Sequence, residues 1–404
     1  MDSRERVERD AKGEDVRKRI VAALSSGIAR RWPFPEDRSV DVVLEAAHAG
    51  IFTVSVRSGS VNVSEGRAAR PTTTVYTDAR TLAEVLEGER SGIETWLKGY
   101  LEVRGSIAHA MKLEALLDVT HRPRHFPRPA RVTARGIDTF YLEAGQGPPV
   151  VMLHGLGATN ASMLPTLNDL AHDYRVIAPD FPGFGESDKP IRSYHAGFFA
   201  KWVVAMLDRL GIEKAHFVGN SMGGRVSIEV ALRFPERVEK IVLLAPAMAF
   251  RRLRQFVPIV RVLRPELALV PIVLPRANVL GATRQLFSRG DRVASTWYDA
   301  AADEFLRVFS TVRGRIAFFS AARQIYLDEP WGDRGFWQRL QGMKRPALFV
   351  WGSRDLLVPA GFARHVESSV PYARSVVLDD CGHVPQFELP DVTNKLIRDF
   401  FAEK

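Results

Sequence analysis

At 404 residues the chain exceeds one typical domain of ~100–200 residues, and its 46% hydrophobic, 25% charged composition excludes wholesale disorder. A single cysteine, Cys381, excludes an intrachain disulfide, and the charged start Met1-Asp2-Ser3-Arg4-Glu5-Arg6 lacks the apolar core of a secretory signal, so a cytoplasmic setting is expected. The net charge of +9 is largely local: nine arginines between 251 and 292 face only Glu266 and Asp291, and no zinc-ligand spacing, Walker loop or RNA-binding aromatic signature accompanies them.

The first 120 residues read as an α+β layout. A helical pattern over 14–29 gives way to period two: Phe52-Thr53-Val54-Ser55-Val56 and Val61-Asn62-Val63-Ser64 flank Ser58-Gly59-Ser60, which predicts a β-hairpin. A strand is expected over 72–77 and helices over 79–86, 92–97 and 106–117, with the short Leu101-Glu102-Val103-Arg104-Gly105 between the last two. Thr77-Asp78-Ala79-Arg80-Thr81-Leu82 leads into one helix, and Leu97-Lys98-Gly99-Tyr100-Leu101-Glu102-Val103-Arg104-Gly105 leads into the last. In this arrangement residues 1–120 resemble the sterol-carrier-protein-2 (SCP2) family of lipid-binding domains. The resemblance implies an apolar tunnel for fatty acyl or sterol ligands; the alternative is that the same positions fill a small core and the module serves assembly.

Three prolines in His121-Arg122-Pro123-Arg124-His125-Phe126-Pro127-Arg128-Pro129 oppose helix, which places a Pro-rich linker at 121–130. Its two histidines have no local cysteine or carboxylate and read as solvated. From Arg131 strands and helices alternate: strands over 150–153, 174–178, 215–218, 238–244, 347–351 and 375–378, and helices over 162–172, 198–210, 223–233, 362–368 and 391–401. Such alternation predicts an α/β fold with a mostly parallel sheet and helices on both faces over 131–404. A helical cap is expected at about 248–342, where no clear strand appears. Within it the apolar run 256–275 is broken by Arg261, Arg264, Glu266, Pro258, Pro265 and Pro271, so no membrane span is predicted. Arg251, Arg252, Arg254, Arg261 and Arg264 interleave there with apolar residues, a pattern suited to an anionic lipid surface rather than nucleic acid.

Phe217-Val218-Gly219-Asn220-Ser221-Met222-Gly223-Gly224 sets a serine between glycines, after an apolar β-prone run and before a helical one. That is the context of a nucleophile elbow, where a strained turn lifts the hydroxyl above the sheet edge. A serine hydroxyl needs a base to take its proton and a third group to orient the base. Trp351-Gly352-Ser353-Arg354-Asp355 and Asp380-Cys381-Gly382-His383 supply an acid and a histidine after two further strands, so the candidate triad is Ser221, Asp355 and His383. The oxyanion would be received by the backbone N–H groups of Met222 and of Leu156, in His154-Gly155-Leu156-Gly157-Ala158. His154 reads as structural, Asp379 and Asp380 as shapers of the histidine loop, and Cys381 as no nucleophile, since no elbow surrounds it.

Through HGLGA, DFPGFGES, GNSMGG, WGSRDLLVP and CGHVPQFE, residues 131–404 resemble the α/β-hydrolase superfamily. The resemblance implies a serine hydrolase needing no metal or organic cofactor. With an SCP2-like module ahead of it, cleavage of a carboxylic ester of a lipophilic substrate is expected. GNSMGG and CGHxxQ also look like the carbon–carbon hydrolases of ring-cleavage products, although HGLGAT lacks the additional proline-glycine those enzymes carry. A lipid-binding or transfer protein with a scaffold hydrolase fold is the remaining alternative.

Overall fold

The computed structural model describes residues 3–35, 37, 39–117, 123, 125–249, 262 and 264–403, with side chains from Glu14 onward except that of Tyr326. The chain divides into two compact units, Met1–Pro129 and Ala130–Lys404. Most of the arginine run, 250–261, lies outside the described residues.

In the first unit the helix α1 (Ser3–Ser26) is followed by five strands, β1 (Ser39–Ala47), β2 (Gly50–Arg57), β3 (Ser60–Glu65), β4 (Thr73–Asp78) and β5 (Leu101–Gly105), in sheet order β3-β2-β1-β4-β5. The expected hairpin is β2–β3, antiparallel with Val54 opposite Val63 and Val56 opposite Val61. No element is expected from the sequence over 39–47, yet β1 is the central strand, antiparallel to β2 and parallel to β4. Helices α2 (Ala79–Leu86), α3 (Gly92–Leu97) and α4 (Ile107–Glu114) each start on a polar cap: the side chains of Asp78, Ser91 and Ser106 accept the N–H groups of Thr81, Glu94 and His109. Such caps contribute about 1 kcal/mol each. Ile20 and Leu24, one turn apart on α1, join Val42, Leu44, Phe52, Val54, Leu82 and Val103 in the core.

The second unit is built on an eight-stranded sheet of order β13-β12-β11-β10-β8-β9-β7-β6. Its strands are β6 (Arg128–Ala134), β7 (Ile137–Ala144), β8 (Pro149–Leu153), β9 (Arg175–Pro179), β10 (Ala215–Asn220), β11 (Val238–Leu244), β12 (Ala347–Gly352) and β13 (Arg374–Leu378). The last three residues of the expected linker, 128–130, are therefore already strand. Strands β9, β8, β10, β11, β12 and β13 run parallel, while β7 pairs antiparallel with β9. Every residue of β10 and β12 is buried, as a sheet covered on both faces requires.

From β8 the chain moves to β9 on one side and then to β10 on the other, so the sheet order reverses between β8 and β10. A crevice opens beyond the carboxyl ends of such neighbours. His154 follows β8 and Ser221 follows β10, which brings both loops to this crevice. Between β11 and β12 lie the helices Arg276–Arg284, Ser295–Phe309, Val312–Tyr326 and Phe336–Leu340. They pack on the loop that follows β9: Ser320 Oγ accepts from Tyr194 N at 3.0 Å, and a Cβ on Gly183 would stand 2.5 Å from that of Ala317.

Candidate active site

Ser221 links β10 to the helix α5 (Met222–Arg233) with φ 51° and ψ −113°, a region that side-chain-bearing residues rarely enter. Such a conformation costs on the order of 1–3 kcal/mol and persists only where its surroundings fix it. Here Ser221 N donates to Leu244 O at 3.0 Å, and the Ser221 carbonyl accepts from Ala247 N at 2.8 Å and Arg225 N at 3.0 Å. Glycine is required on both sides. A Cβ on Gly219 would lie 2.5 Å from the Gly223 carbonyl carbon, and one on Gly223 would collide with Leu153 O.

Asp355 sits in the turn after β12 and His383 in the loop after β13; both are buried. Asp355 Oδ1 accepts the N–H groups of Leu357 and Val358 at 2.8 and 2.9 Å, which leaves Oδ2 facing His383 Nδ1 at 2.7 Å. A carboxylate only accepts, so Nδ1 carries the proton and donates it. In the neutral ring Nε2 then bears the lone pair. Asn220, immediately before Ser221, donates through Nδ2 to Leu244 O at 3.0 Å and to His383 O at 3.1 Å. The serine turn and the histidine loop are thereby tied across 163 residues.

The loop is clamped from the other side by Glu388, whose role the sequence reading missed. Its Oε2 accepts from Gly382 N at 2.7 Å, and its Oε1 accepts from Ser288 N at 2.9 Å and Arg289 N at 3.1 Å. His383 N donates to Leu286 O at 2.6 Å. Asp380 is turned away to Arg292 and Arg354, at 2.6 and 3.0 Å, and Asp379 accepts from Ser353 Oγ at 3.2 Å. Burial pushes the Cys381 thiol up to about 12, which keeps it out of the nucleophilic thiolate form.

Gly155 passes close to the serine turn: a Cβ there would lie 3.5 Å from that of Ser221. Leu156 follows, half-buried against the core, and Gly157 turns at φ 74° beneath Phe305 and Phe318. Met222 opens α5, in the turn whose N–H groups have no carbonyl within the helix. His154 Nδ1 donates to Gly155 O at 2.8 Å, and Nε2 accepts from Phe181 N at 3.0 Å, so both ring nitrogens hold backbone in place. Burial lowers its pKa from 6.5 to about 4.

The folded protein therefore binds this proton less readily than the unfolded chain, and stability present above pH 6.5 is lost as pH falls toward 4. Asp180, raised by burial to about 7, works with the opposite sign over that range, so the total pH profile mixes the two. Comparison with His154→Gln separates them, because glutamine can both donate and accept. Denaturation at pH 7.5 and pH 4.5 should move the stability difference toward the variant by about 2–3 kcal/mol at the lower pH. A constant difference would mean that the imidazole takes up its proton in the fold as readily as in the unfolded chain.

In the first unit an open groove of about 360 Å³ lies between α1 and the β2–β3 hairpin, lined by Val21, Leu24, Phe52, Val61 and Val63, with Arg30 and Glu65 also in its wall. Within either unit taken alone, the described residues bring no three His, Cys, Asp or Glu ligand atoms together. No helix among them is long and apolar enough to cross a membrane.

Residues 148–390 match the alpha/beta hydrolase fold family, and residues 36–118 match the SCP-2 sterol transfer family. A 2-hydroxy-6-oxo-6-phenylhexa-2,4-dienoate hydrolase of Burkholderia cepacia is 30% identical over 293 residues, which are 67% of this chain and 94% of that protein. Among solved structures, a membrane phospholipase A described as a bacterial virulence factor superposes with a TM-score of 0.59 at 25% identity, over 68% of this chain and 86% of its own. A meta-cleavage product hydrolase from Pseudomonas fluorescens IP01 does so with a TM-score of 0.54 at 26% identity, over 67% and 97%. The chain belongs to the α/β-hydrolase fold family and carries, ahead of that domain, a domain of the SCP-2 sterol transfer family.

Proposed function

We propose that the second unit is a serine hydrolase that cleaves a carboxylic ester of a lipophilic substrate through an acyl-enzyme. One observation carries the reading: a serine held at φ 51° on the edge of β10, in a fold that also pairs His383 with Asp355 at 2.7 Å. Ser221 Oγ attacks the ester carbonyl carbon as His383 Nε2 takes its proton, and Asp355 stabilises the imidazolium. The N–H groups of Leu156 and Met222 receive the negative oxygen. Collapse of the tetrahedral species expels the alcohol, which leaves with the proton from His383; water then repeats the sequence on the acyl-serine. Phe305, Phe309, Phe318 and Phe319 form an aromatic group beside Gly157, suited to an acyl chain or ring.

A second reading, hydrolysis of a carbon–carbon bond in a ring-cleavage product, is favoured by the 30% identity to the Burkholderia dienoate hydrolase. The deciding experiment is a chain-length series of p-nitrophenyl esters run beside a ring-cleavage dienone, with Ser221→Ala as control. Turnover of esters that improves with chain length supports the first reading; turnover of the dienone alone replaces it with the second.

The first unit is read as the lipid-binding partner of this chemistry. The full chain is expected to bind a fluorescent fatty acid saturably, and Val63→Asp, which sets a carboxylate into the groove, to weaken that binding by about tenfold or more. Equal affinity in the two proteins would place the ligand elsewhere.

A further inference from the structure

The connection between the helices Arg276–Arg284 and Ser295–Phe309, in the segment inserted between β11 and β12, reaches the loop that carries His383. Leu286 O accepts from His383 N at 2.6 Å, and a Cβ on Gly382 would collide with that same oxygen. Ser288 Oγ stands 2.6 Å from Asp380 O and beside Glu388 Oε1, so its one proton serves two acceptors. Arg292 Nη2 donates to Asp380 Oδ2 at 2.6 Å. The buried Glu388 joins the two stretches of chain: Oε1 accepts from Ser288 N and Arg289 N, and Oε2 accepts from Gly382 N.

The connection is also fixed at its other end. Phe287 packs edge-on against Tyr298 with ring centroids 4.9 Å apart, and Trp297 packs edge-on against Phe387 at 4.7 Å. Phe305 and Phe309, of the proposed acyl pocket, follow on the same helix as Trp297 and Tyr298. His383 is thus bonded on two sides, its carbonyl to Asn220 Nδ2 at 3.1 Å and its N–H to Leu286. A base must stay within hydrogen-bond reach of the proton it takes, and a displacement of about 1 Å costs on the order of 10²-fold in rate. From these bonds we infer that Ser288 and Glu388 are positioning residues for His383, through which the segment inserted between β11 and β12 sets the place of the imidazole. Only the ring's service as a base rests on the hydrolase reading; its placement does not.

The test uses the full chain with Ser288→Ala, Ser288→Thr and Glu388→Gln. Removing the Ser288 hydroxyl should lower kcat for a p-nitrophenyl ester by about tenfold or more and leave KM within about twofold, since the loss falls on the base and not on ground-state binding. Ser288→Thr keeps the hydroxyl and should restore most of the rate. Glu388→Gln should cost about 10²-fold, because an amide turned either way sets its NH₂ against Ser288 N and Arg289 N or against Gly382 N. If that variant does not fold, the two serine variants decide. Proton NMR reads the ring without any substrate: the His383 Nδ1–H that faces Asp355, identified by its absence in His383→Gln, should exchange with water about tenfold or more faster in Ser288→Ala. Faster exchange in a protein that turns over no ester would keep the positioning and remove the ester reading. Wild-type kcat and exchange in Ser288→Ala, a loss confined to KM, or equal losses in Ser288→Ala and Ser288→Thr would each overturn the inference.

Discussion

Ser221→Ala is expected to abolish ester turnover, by on the order of 10⁶-fold, and to end labelling by a fluorophosphonate, because only the attacking hydroxyl is removed. Alanine keeps the Cβ, so the strain at φ 51° remains and the main-chain bonds to Leu244, Ala247 and Arg225 are untouched. The melting temperature should accordingly stay close to that of the wild type. Labelling that survives the substitution would assign the nucleophile to another residue. Cys381 is a poor substitute, since the buried thiol is held at about 12 and its loop presents no elbow.

The parts of the fold legible in the sequence are those whose local pattern agrees with their tertiary setting. The hairpin about Ser58-Gly59-Ser60, the helices after Asp78 and Ser91 and the parallel strands of the hydrolase sheet all have apolar spacing and boundary residues that point one way. Strand β1 does not: Val-Val-Leu-Glu-Ala-Ala suits a helix as well as a strand, and pairing with both β2 and β4 decides it. Strands β6 and β7 are joined through Arg135 and Gly136, both at positive φ. An arginine in that conformation lacks the usual Asn-Gly mark of such a turn. The positions of Ser221, Asp355 and His383, the proposed triad, just beyond the ends of β10, β12 and β13 follow from the strands expected in the sequence. The roles of Asn220 and Glu388 do not, because the bonds from Asn220 to His383 and from Ser288 to Glu388 span 163 and 100 residues and only folding makes them.

Asp355→Asn is expected to lower kcat by ~10⁴-fold with little change in KM, and the hydrogen bonds explain why an isosteric change costs so much. Oδ1 of Asp355 is committed to two N–H donors, Leu357 and Val358, so an asparagine must keep its oxygen there and turn its NH₂ toward His383. The opposite orientation would set the amide hydrogens against both backbone donors. With an NH₂ at the former Oδ2 position, His383 Nδ1 must accept instead of donate, which moves the ring proton to Nε2 and removes the base. Asp380→Asn and Asp379→Asn carry no such consequence, because their carboxylates face Arg292, Arg354 and Ser353 rather than the imidazole. Steady-state kinetics on the three variants should show one severe loss and two losses within about tenfold. A loss in Asp380→Asn matching that of Asp355→Asn would show that Asp355 does not orient the histidine in the working enzyme.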